Sequence, residues 1–128
     1  MNANEREFID GVAKRVIGAA YEVSNHLGSG FIEKVYERAL ALELSNQGIR
    51  HQTQVPVPVS YKGQAVGDYV ADILVEGKLL VELKCVEAFT EQHMAQCLNY
   101  LKASGLNLCL LINFQKPRVE WKRVVLNY

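Results

Sequence analysis

The chain has 128 residues, of which 49% are hydrophobic and 22% charged, and its 14 basic and 14 acidic residues leave no formal net charge. This length predicts one domain, residues 1–128, and the composition excludes a disordered chain. The balanced charge argues against a histone-like protein that binds nucleic acid by electrostatics alone. A polar N-terminus and the lack of an apolar run of about 20 residues predict no signal peptide and no membrane partner, so we expect a cytoplasmic protein.

Two helices are predicted at the start of the chain. Apolar residues recur at helical spacing over residues 5–27, and Gly28 can end that helix in a left-handed conformation. The same spacing over about residues 31–47 predicts a second helix, which Gly48 ends. Each helix would therefore turn one apolar stripe towards a core.

Three strands are predicted to follow, joined by tight turns. Alternating apolar residues predict a strand over residues 55–61, where two prolines favour an edge position. A turn at residues 62–64 leads into a strand over about residues 67–75. A Gly-centred turn at 76–78 then leads into a strand over 79–85.

A third helix and two strands complete the chain. Thr90 is a good N-cap for a helix that reaches Ala103. Residues 107–114 form a short, almost wholly apolar run, which is the pattern of a strand covered on both faces. A last strand is predicted over residues 119–126. The predicted order of elements is therefore ααβββαββ.

Two carboxylates and a lysine interrupt otherwise apolar strands. Asp72 precedes Glu82 by ten residues, and Lys84 lies two residues further on. A three-residue turn centred on Gly77 would put the two acids opposite each other, with Cβ atoms about 5 Å apart, whereas a two-residue turn would put them on opposite faces. We favour the three-residue turn because it also gathers a wholly apolar face. That face comprises Ala71, Ile73, Val75, Leu79, Val81 and Leu83.

Two ionised carboxylates at that separation repel each other unless a proton or a cation lies between them. The residues alone leave two interpretations open. Lys84 can neutralise the acids in a salt bridge, or a hard divalent cation such as Mg²⁺ can bind their oxygens.

Two further groups of polar residues each have an ordinary and a functional interpretation. In Gly30-x-x-Glu33-x-x-Tyr36, the glycine fits an N-cap and the acid fits the N3 position of a capping box. On the third predicted helix, Gln96 and Tyr100 lie one turn apart. They can form a plain boundary face, or they can contact a phosphate backbone and stack on a base.

Taken together, these motifs resemble the GxxExxY protein family, which is assigned to the PD-(D/E)XK nuclease superfamily. The likeness covers nearly the whole chain and implies an α/β fold with a restriction-endonuclease-like core, a mixed β-sheet flanked by helices. It also implies Mg²⁺-dependent hydrolysis of phosphodiester bonds in nucleic acid, with Mn²⁺ as a substitute metal and DNA as the favoured substrate. The motifs are Gly30-x-x-Glu33-x-x-Tyr36, Asp72, Glu82-x-Lys84 and Gln96-x-x-x-Tyr100.

The resemblance implies catalytic roles for five residues. Asp72, Glu82 and the backbone carbonyl of Leu83 would hold the metal ion. Lys84 would position or activate the attacking water and offset developing negative charge. Glu33 would support the metal ion or the lysine.

The resemblance also implies how the substrate is held. Gln96 and Tyr100 match an element that contacts the substrate strand near the cut in related exonucleases. Ala71, not proline, precedes Asp72, at a position that varies across the superfamily. With no appended DNA-binding domain, the chain would need a second copy of itself or a partner protein to grip a duplex. The alternative is a non-catalytic nucleic-acid-binding or protein-interaction module on the same fold.

Overall fold

A computed structural model describes residues 1–128 and shows the predicted order ααβββαββ, so the α/β class is confirmed. All eight predicted elements are present, and their ends differ from the predicted ones by a few residues. The helices are α1 (Ala3–Leu27), α2 (Glu33–Asn46) and α3 (Glu91–Ser104), and the strands are β1 (His51–Tyr61), β2 (Gln64–Val75), β3 (Leu79–Lys84), β4 (Leu108–Asn113) and β5 (Glu120–Val125).

The five strands form one mixed sheet in the order β1-β2-β3-β4-β5. Strands β3 and β4 run parallel, and α3 makes the crossover between them. The other neighbouring strands are antiparallel. Every residue of β4 is buried, as its apolar run predicts for a central strand covered on both faces.

Helices cover both faces of the sheet. One core cluster joins α1 and α2 to the sheet, and a smaller cluster joins α3 to the opposite face. Along β3, Val81 and Leu83 belong to the first cluster, whereas Leu80 belongs to the second. Because side chains alternate along a strand, Glu82 and Lys84 share the face of Leu80, towards α3.

The β1–β2 hairpin is longer than predicted. β1 begins at His51 rather than at residue 55, and β2 begins at Gln64 rather than at residue 67. The added residues are mostly polar and exposed, so hydrophobic alternation does not reveal them. Most of them are strand because they pair their backbone with the neighbouring strand, which needs no apolar side chain.

One residue of β1 breaks the regular pairing opposite Asp72. Thr53 pairs with Ile73 and Val55 pairs with Ala71, but the intervening Gln54 has a left-handed φ of 53°. The alternation of side chains also breaks here, since Ala71 belongs to the α3 cluster and Ile73 to the opposite one. The prediction that these two residues share one apolar face is therefore wrong.

Helix α1 has 25 residues, yet no helix combines the length and the apolar character needed to cross a membrane. Its buried residues lie on one stripe against the sheet, while the opposite side of the helix is exposed. This is the pattern of an amphipathic helix that packs on a core.

Candidate functional site

The turn between β2 and β3 has the predicted register. Ile73 pairs with Val81, and the hairpin is centred on Gly77, whose φ of 64° suits a glycine. Asp72 and Glu82 therefore lie opposite each other immediately beyond the last backbone pair. This confirms the three-residue turn and the prediction that the two acids lie opposite each other.

Side chains replace the backbone ladder at this point. The backbone N–H of Asp72 donates to Oε1 of Glu82 at 3.0 Å. The N–H of Leu83 donates to Oδ2 of Asp72 at 2.7 Å. Each acid is thus fixed by the main chain of the opposite strand, which gives the pair a rigid frame.

The second oxygen of each acid, Oδ1 of Asp72 and Oε2 of Glu82, makes no hydrogen bond within the protein. No buried side-chain oxygen or nitrogen lacks a partner, so both of these atoms keep some access to solvent. Glu82 as a residue is nevertheless only 4% exposed. The site therefore offers one oxygen without a protein partner on each of two opposed carboxylates, in a largely desolvated setting.

The surroundings oppose ionisation of both acids. Burial raises the pKa of Glu82 to about 8, and the charge of Asp72 adds to the rise. Burial likewise raises the pKa of Asp72, and the charges of Glu37 and Glu33 add to it. Lys84 lowers both values by a smaller amount. A cation between the acids would relieve this cost.

The donors present suit a hard divalent cation. No three His, Cys, Asp or Glu side chains converge on one point, so the site lacks the ligand set typical of zinc or other transition metals. Because a strand residue directs its N–H and C=O to the same side, the carbonyl of Leu83 faces the gap that its N–H spans towards Asp72. Two carboxylates and a carbonyl are oxygen ligands of the kind that Mg²⁺ prefers, with waters completing its shell.

Lys84 forms no ion pair with the acids and contacts Gln96 on α3 instead. Its Nζ donates to Oε1 of Gln96 at 3.3 Å, and Nε2 of Gln96 donates to the hydroxyl of Tyr100 at 3.3 Å. Neither acid lies within 4.0 Å of Nζ. The salt bridge that the sequence left open does not form, and the structure brings Gln96 and Tyr100 together with Lys84.

Glu33 contacts the end of β3 and does not form the capping box that was its ordinary interpretation. Helix α2 begins at Glu33 with Ile32 as its N-cap, so Gly30 at the N-cap and Glu33 at N3 are both wrong. The carboxylate instead accepts a hydrogen bond from the backbone N–H of Cys85, just after β3, at 3.4 Å. The acid therefore reaches the end of the strand that carries Glu82.

The other two residues of the Gly30-x-x-Glu33-x-x-Tyr36 segment explain the late start of α2. Gly30 has a φ of 111°, a conformation that other residues rarely adopt. The hydroxyl of Tyr36 donates to the carbonyl of Gly28 at 2.5 Å and accepts from the N–H of Phe31 at 3.3 Å. The buried tyrosine thus ties down the loop and sets where Glu33 enters the helix.

Sequence reasoning missed Glu37 and Gln54. Glu37 is 7% exposed and lies one helical turn after Glu33. It accepts from Lys34 at 3.1 Å and from the amide of Gln54 at 2.8 Å. The sequence does hold a signal for Glu37, because an acid inside the apolar stripe of a helix indicates a buried, paired carboxylate. The left-handed turn at Gln54, which faces Asp72 across the hairpin, leaves no such signal in the sequence.

A groove opens beside Lys84. Its volume is about 460 Å³, and it lies between α3 and the β1–β2 hairpin. A larger cavity of about 760 Å³, near Gly77, contains none of the predicted site residues. The lining of the first groove is Tyr69, Lys84, Gln92, His93, Ala95, Gln96, Asn99 and Tyr100.

Comparison with known proteins identifies the fold. The model of the PD-(D/E)XK nuclease superfamily matches residues 10–124. The crystal structure of SSO0001 is similar with a TM-score of 0.58 and 16% identity, over 95% of this chain and 61% of that chain. The chain therefore spans about three fifths of SSO0001. Together with the mixed sheet and its flanking helices, these matches confirm the predicted restriction-endonuclease-like core.

An alkaline exonuclease from Laribacter hongkongensis, LHK-Exo, is also similar, with a TM-score of 0.53 and 15% identity over 88% of this chain and 70% of that chain. Its complex with dAMP gives a TM-score of 0.53 and 16% identity over 87% and 69%. At such identities the likeness shows the fold alone. No protein of curated function matches the sequence.

Proposed function

This chain belongs to the PD-(D/E)XK nuclease superfamily, and we propose that it hydrolyses phosphodiester bonds in nucleic acid, with DNA as the favoured substrate. The observation that carries the proposal is the acid pair at the end of the β2–β3 ladder. Asp72 and Glu82 are each held by the opposite backbone, and each keeps one oxygen without a protein partner. Within the superfamily we assign the chain to the GxxExxY family, on Gly30, Glu33 and Tyr36.

Asp72, Glu82 and the carbonyl of Leu83 would hold Mg²⁺, or Mn²⁺ in its place. The burial that raises the pKa of both acids also favours a cation that neutralises them. When bound, a divalent cation supplies Lewis-acid activation of water and of the phosphate.

Lys84 would act on the substrate rather than on the acids. Its ammonium donates to Gln96 and forms no ion pair with either carboxylate, so its charge stays available to an anion. In that place it would position the attacking water and offset the negative charge that develops on the phosphate. Gln96 and Tyr100 would contact the substrate strand and keep the lysine oriented.

Glu33 would support the metal site from α2. Its hydrogen bond to the N–H of Cys85 fixes the end of β3, directly after Lys84. Its charge also adds to the raised pKa of Asp72. The acid would therefore strengthen the attraction of the site for a cation and for the ammonium of Lys84.

Cleavage assays test the proposal. Purified protein is incubated with single-stranded and double-stranded DNA in Mg²⁺, in Mn²⁺ and in EDTA. We expect cleavage only with metal, and a loss of about 10²-fold or more in Glu82→Ala and in Lys84→Ala. Glu87→Gln, which changes an exposed acid in the loop after β3, is the matched control.

Unchanged cleavage in Glu82→Ala or Lys84→Ala would overturn the assignment. Salt-sensitive DNA binding with no cleavage under any metal would favour the non-catalytic binding module instead. To bind a duplex, the chain would in addition need a second copy of itself or a partner protein. Sedimentation of the protein with and without DNA measures whether two copies associate.

A further inference from the structure

A second cavity continues the groove beside Lys84 along α3. It has a volume of about 510 Å³ and lies against the same hairpin. Tyr69 and Asn99 line both cavities, so the two adjoin at these residues. The residues that line the second cavity are Pro58, Val59, Ser60, Tyr69, Asn99, Lys102 and Ala103.

The two cavities follow one helix from its first turn to its last. On α3 the first cavity is lined from Gln92 onwards and the second as far as Ala103. At 1.5 Å per residue, these positions are about 16 Å apart along the helix axis. The groove therefore runs from the candidate active site towards the C-terminal end of α3.

The charge of this groove suits a polyanion. No aspartate or glutamate lines either cavity, although the acid pair lies close by and the chain has 14 acidic residues. Lys84 lines the first cavity and Lys102 lines the second. Amide side chains of Gln92, Gln96 and Asn99 supply neutral hydrogen-bonding groups between them.

An aromatic ring stands where the two cavities meet. Tyr69 is 47% exposed, and its ring meets that of Tyr100 edge to face, with centroids 5.4 Å apart and planes at 68°. This contact packs the ring of Tyr69 against that of Tyr100, while nearly half of the residue stays accessible. A half-exposed ring next to a cationic groove is the arrangement on which nucleic-acid bases stack.

We propose that this groove, between the β1–β2 hairpin and α3, binds an unpaired strand of nucleic acid next to the active site, with one base stacked on Tyr69 and a phosphate on Lys102. Each cavity has the size of a small-molecule site, which accommodates single nucleotides rather than a base-paired duplex. The inference rests on the proposed nuclease function and adds the class of substrate, a single-stranded segment or a frayed end.

Binding without cleavage tests the groove separately from catalysis. Fluorescence anisotropy in EDTA measures the affinity of the full chain for a labelled oligo-dT strand, for a blunt duplex of the same length and for an abasic strand. We expect the oligo-dT strand to bind more tightly than the duplex. Tyr69→Ala should weaken oligo-dT binding by about 5- to 150-fold, the value of one base–aromatic stack.

Four further variants separate stacking from folding. Tyr69→Phe should keep the affinity, and Tyr69→Leu, which retains an apolar contact for the ring of Tyr100, should lose it. Lys102→Ala should reduce the slope of log affinity against log salt by about 0.7, the loss of one phosphate contact on a single strand. Tyr61→Ala is the matched control, because Tyr61 is exposed near the tip of the same hairpin and lines neither cavity.

The abasic strand distinguishes stacking from a structural role. It has no base to stack, so Tyr69→Leu should leave its affinity unchanged. An equal loss for oligo-dT and for the abasic strand in Tyr69→Leu, or no loss of oligo-dT affinity in Tyr69→Ala and Tyr69→Leu, would overturn the proposal. Tighter binding of the duplex would do the same.

The two proposals fail in different ways. Strand binding that depends on Tyr69 while no metal supports cleavage would support the groove and overturn the nuclease. Metal-dependent cleavage, together with an oligo-dT affinity that is unchanged in Tyr69→Ala, would support the nuclease function and overturn the proposal that the groove binds a strand.

Discussion

Glu82 should make the stability of the protein fall as the pH rises. Its pKa is about 8 in the folded chain, against an ordinary value of 4.5, because the side chain is buried and faces the charge of Asp72. Between these two pH values the folded state keeps a proton that the unfolded state has already lost. The contribution of Glu82 to stability is therefore fully present below about pH 4.5 and is lost as the pH rises towards 8.

The shift sets the size of the effect. Where the folded state binds one proton more than the unfolded state, the free energy of unfolding falls by up to about 1.4 kcal/mol per pH unit. Over the range from pH 4.5 to pH 8 the loss is therefore at most about 5 kcal/mol. Domains of ordinary stability have only about 5–15 kcal/mol in total. Glu82→Gln removes the ionisation but keeps an oxygen that can accept from the N–H of Asp72, as Oε1 of Glu82 does.

Urea unfolding in EDTA at pH values from 5 to 9 measures this effect. We expect Glu82→Gln to match the wild type near pH 5 and to become several kcal/mol more stable by pH 8 to 9. Glu87→Gln, at an exposed position, should follow the wild-type curve throughout. Parallel curves for the wild type and Glu82→Gln would refute the reasoning, since they would show that Glu82 ionises as easily in the folded state as in the unfolded one.

Three further changes probe the surroundings of the acids. Gln96→Glu should lower the cleavage rate more than Gln96→Ala does. Nζ of Lys84 lies 3.3 Å from Oε1 of Gln96, so a carboxylate at this position would neutralise the charge of Lys84. Equal rates in the two variants would contradict a role for the charge of Lys84 in cleavage. Gln54→Gly should lower the free energy of unfolding in urea by about 1–2 kcal/mol, because the hydrogen bond to Glu37 is lost. Gln54→Val should lower it further, because β-branched residues resist the left-handed φ of this position. A valine variant as stable as the glycine variant would show that β1 adopts a regular strand conformation here without cost. Tyr36→Phe should cost about 1–3 kcal/mol by leaving a carbonyl before α2 without its donor, and an unchanged unfolding midpoint would show that the hydroxyl does not hold that loop.

The local sequence determines much of this fold and most of the candidate site. Helical and strand periodicities predict all eight elements in order, because each element buries one stripe or one face in a core. The register of the β2–β3 hairpin follows from its apolar residues, since a three-residue turn at Gly77 gathers Ile73, Val75, Leu79 and Val81 in one core cluster. The same turn puts Asp72 opposite Glu82. The order of the motifs then indicates the superfamily.

The departures from prediction arise from long-range contacts. Helix α2 starts late because the buried hydroxyl of Tyr36 binds the loop before it, which helix propensity does not reveal. Ala71 changes face because β1 takes a left-handed turn at Gln54, held by a hydrogen bond to Glu37 on α2. The hydrogen bond between Gln54 and Glu37 forms only when α2 packs on the sheet, so the local sequence does not reveal it.

The central claim is that Asp72 and Glu82 hold a divalent cation. Titration calorimetry with Mg²⁺ at pH 7 tests it most directly, because binding would expel the proton that Glu82, with a pKa of about 8, retains at that pH. We predict saturable binding by the wild type, with a heat that varies with the ionisation enthalpy of the buffer, and no binding by Glu82→Ala or Asp72→Asn. A wild type without a binding heat, or variants that bind as the wild type does, would contradict the claim.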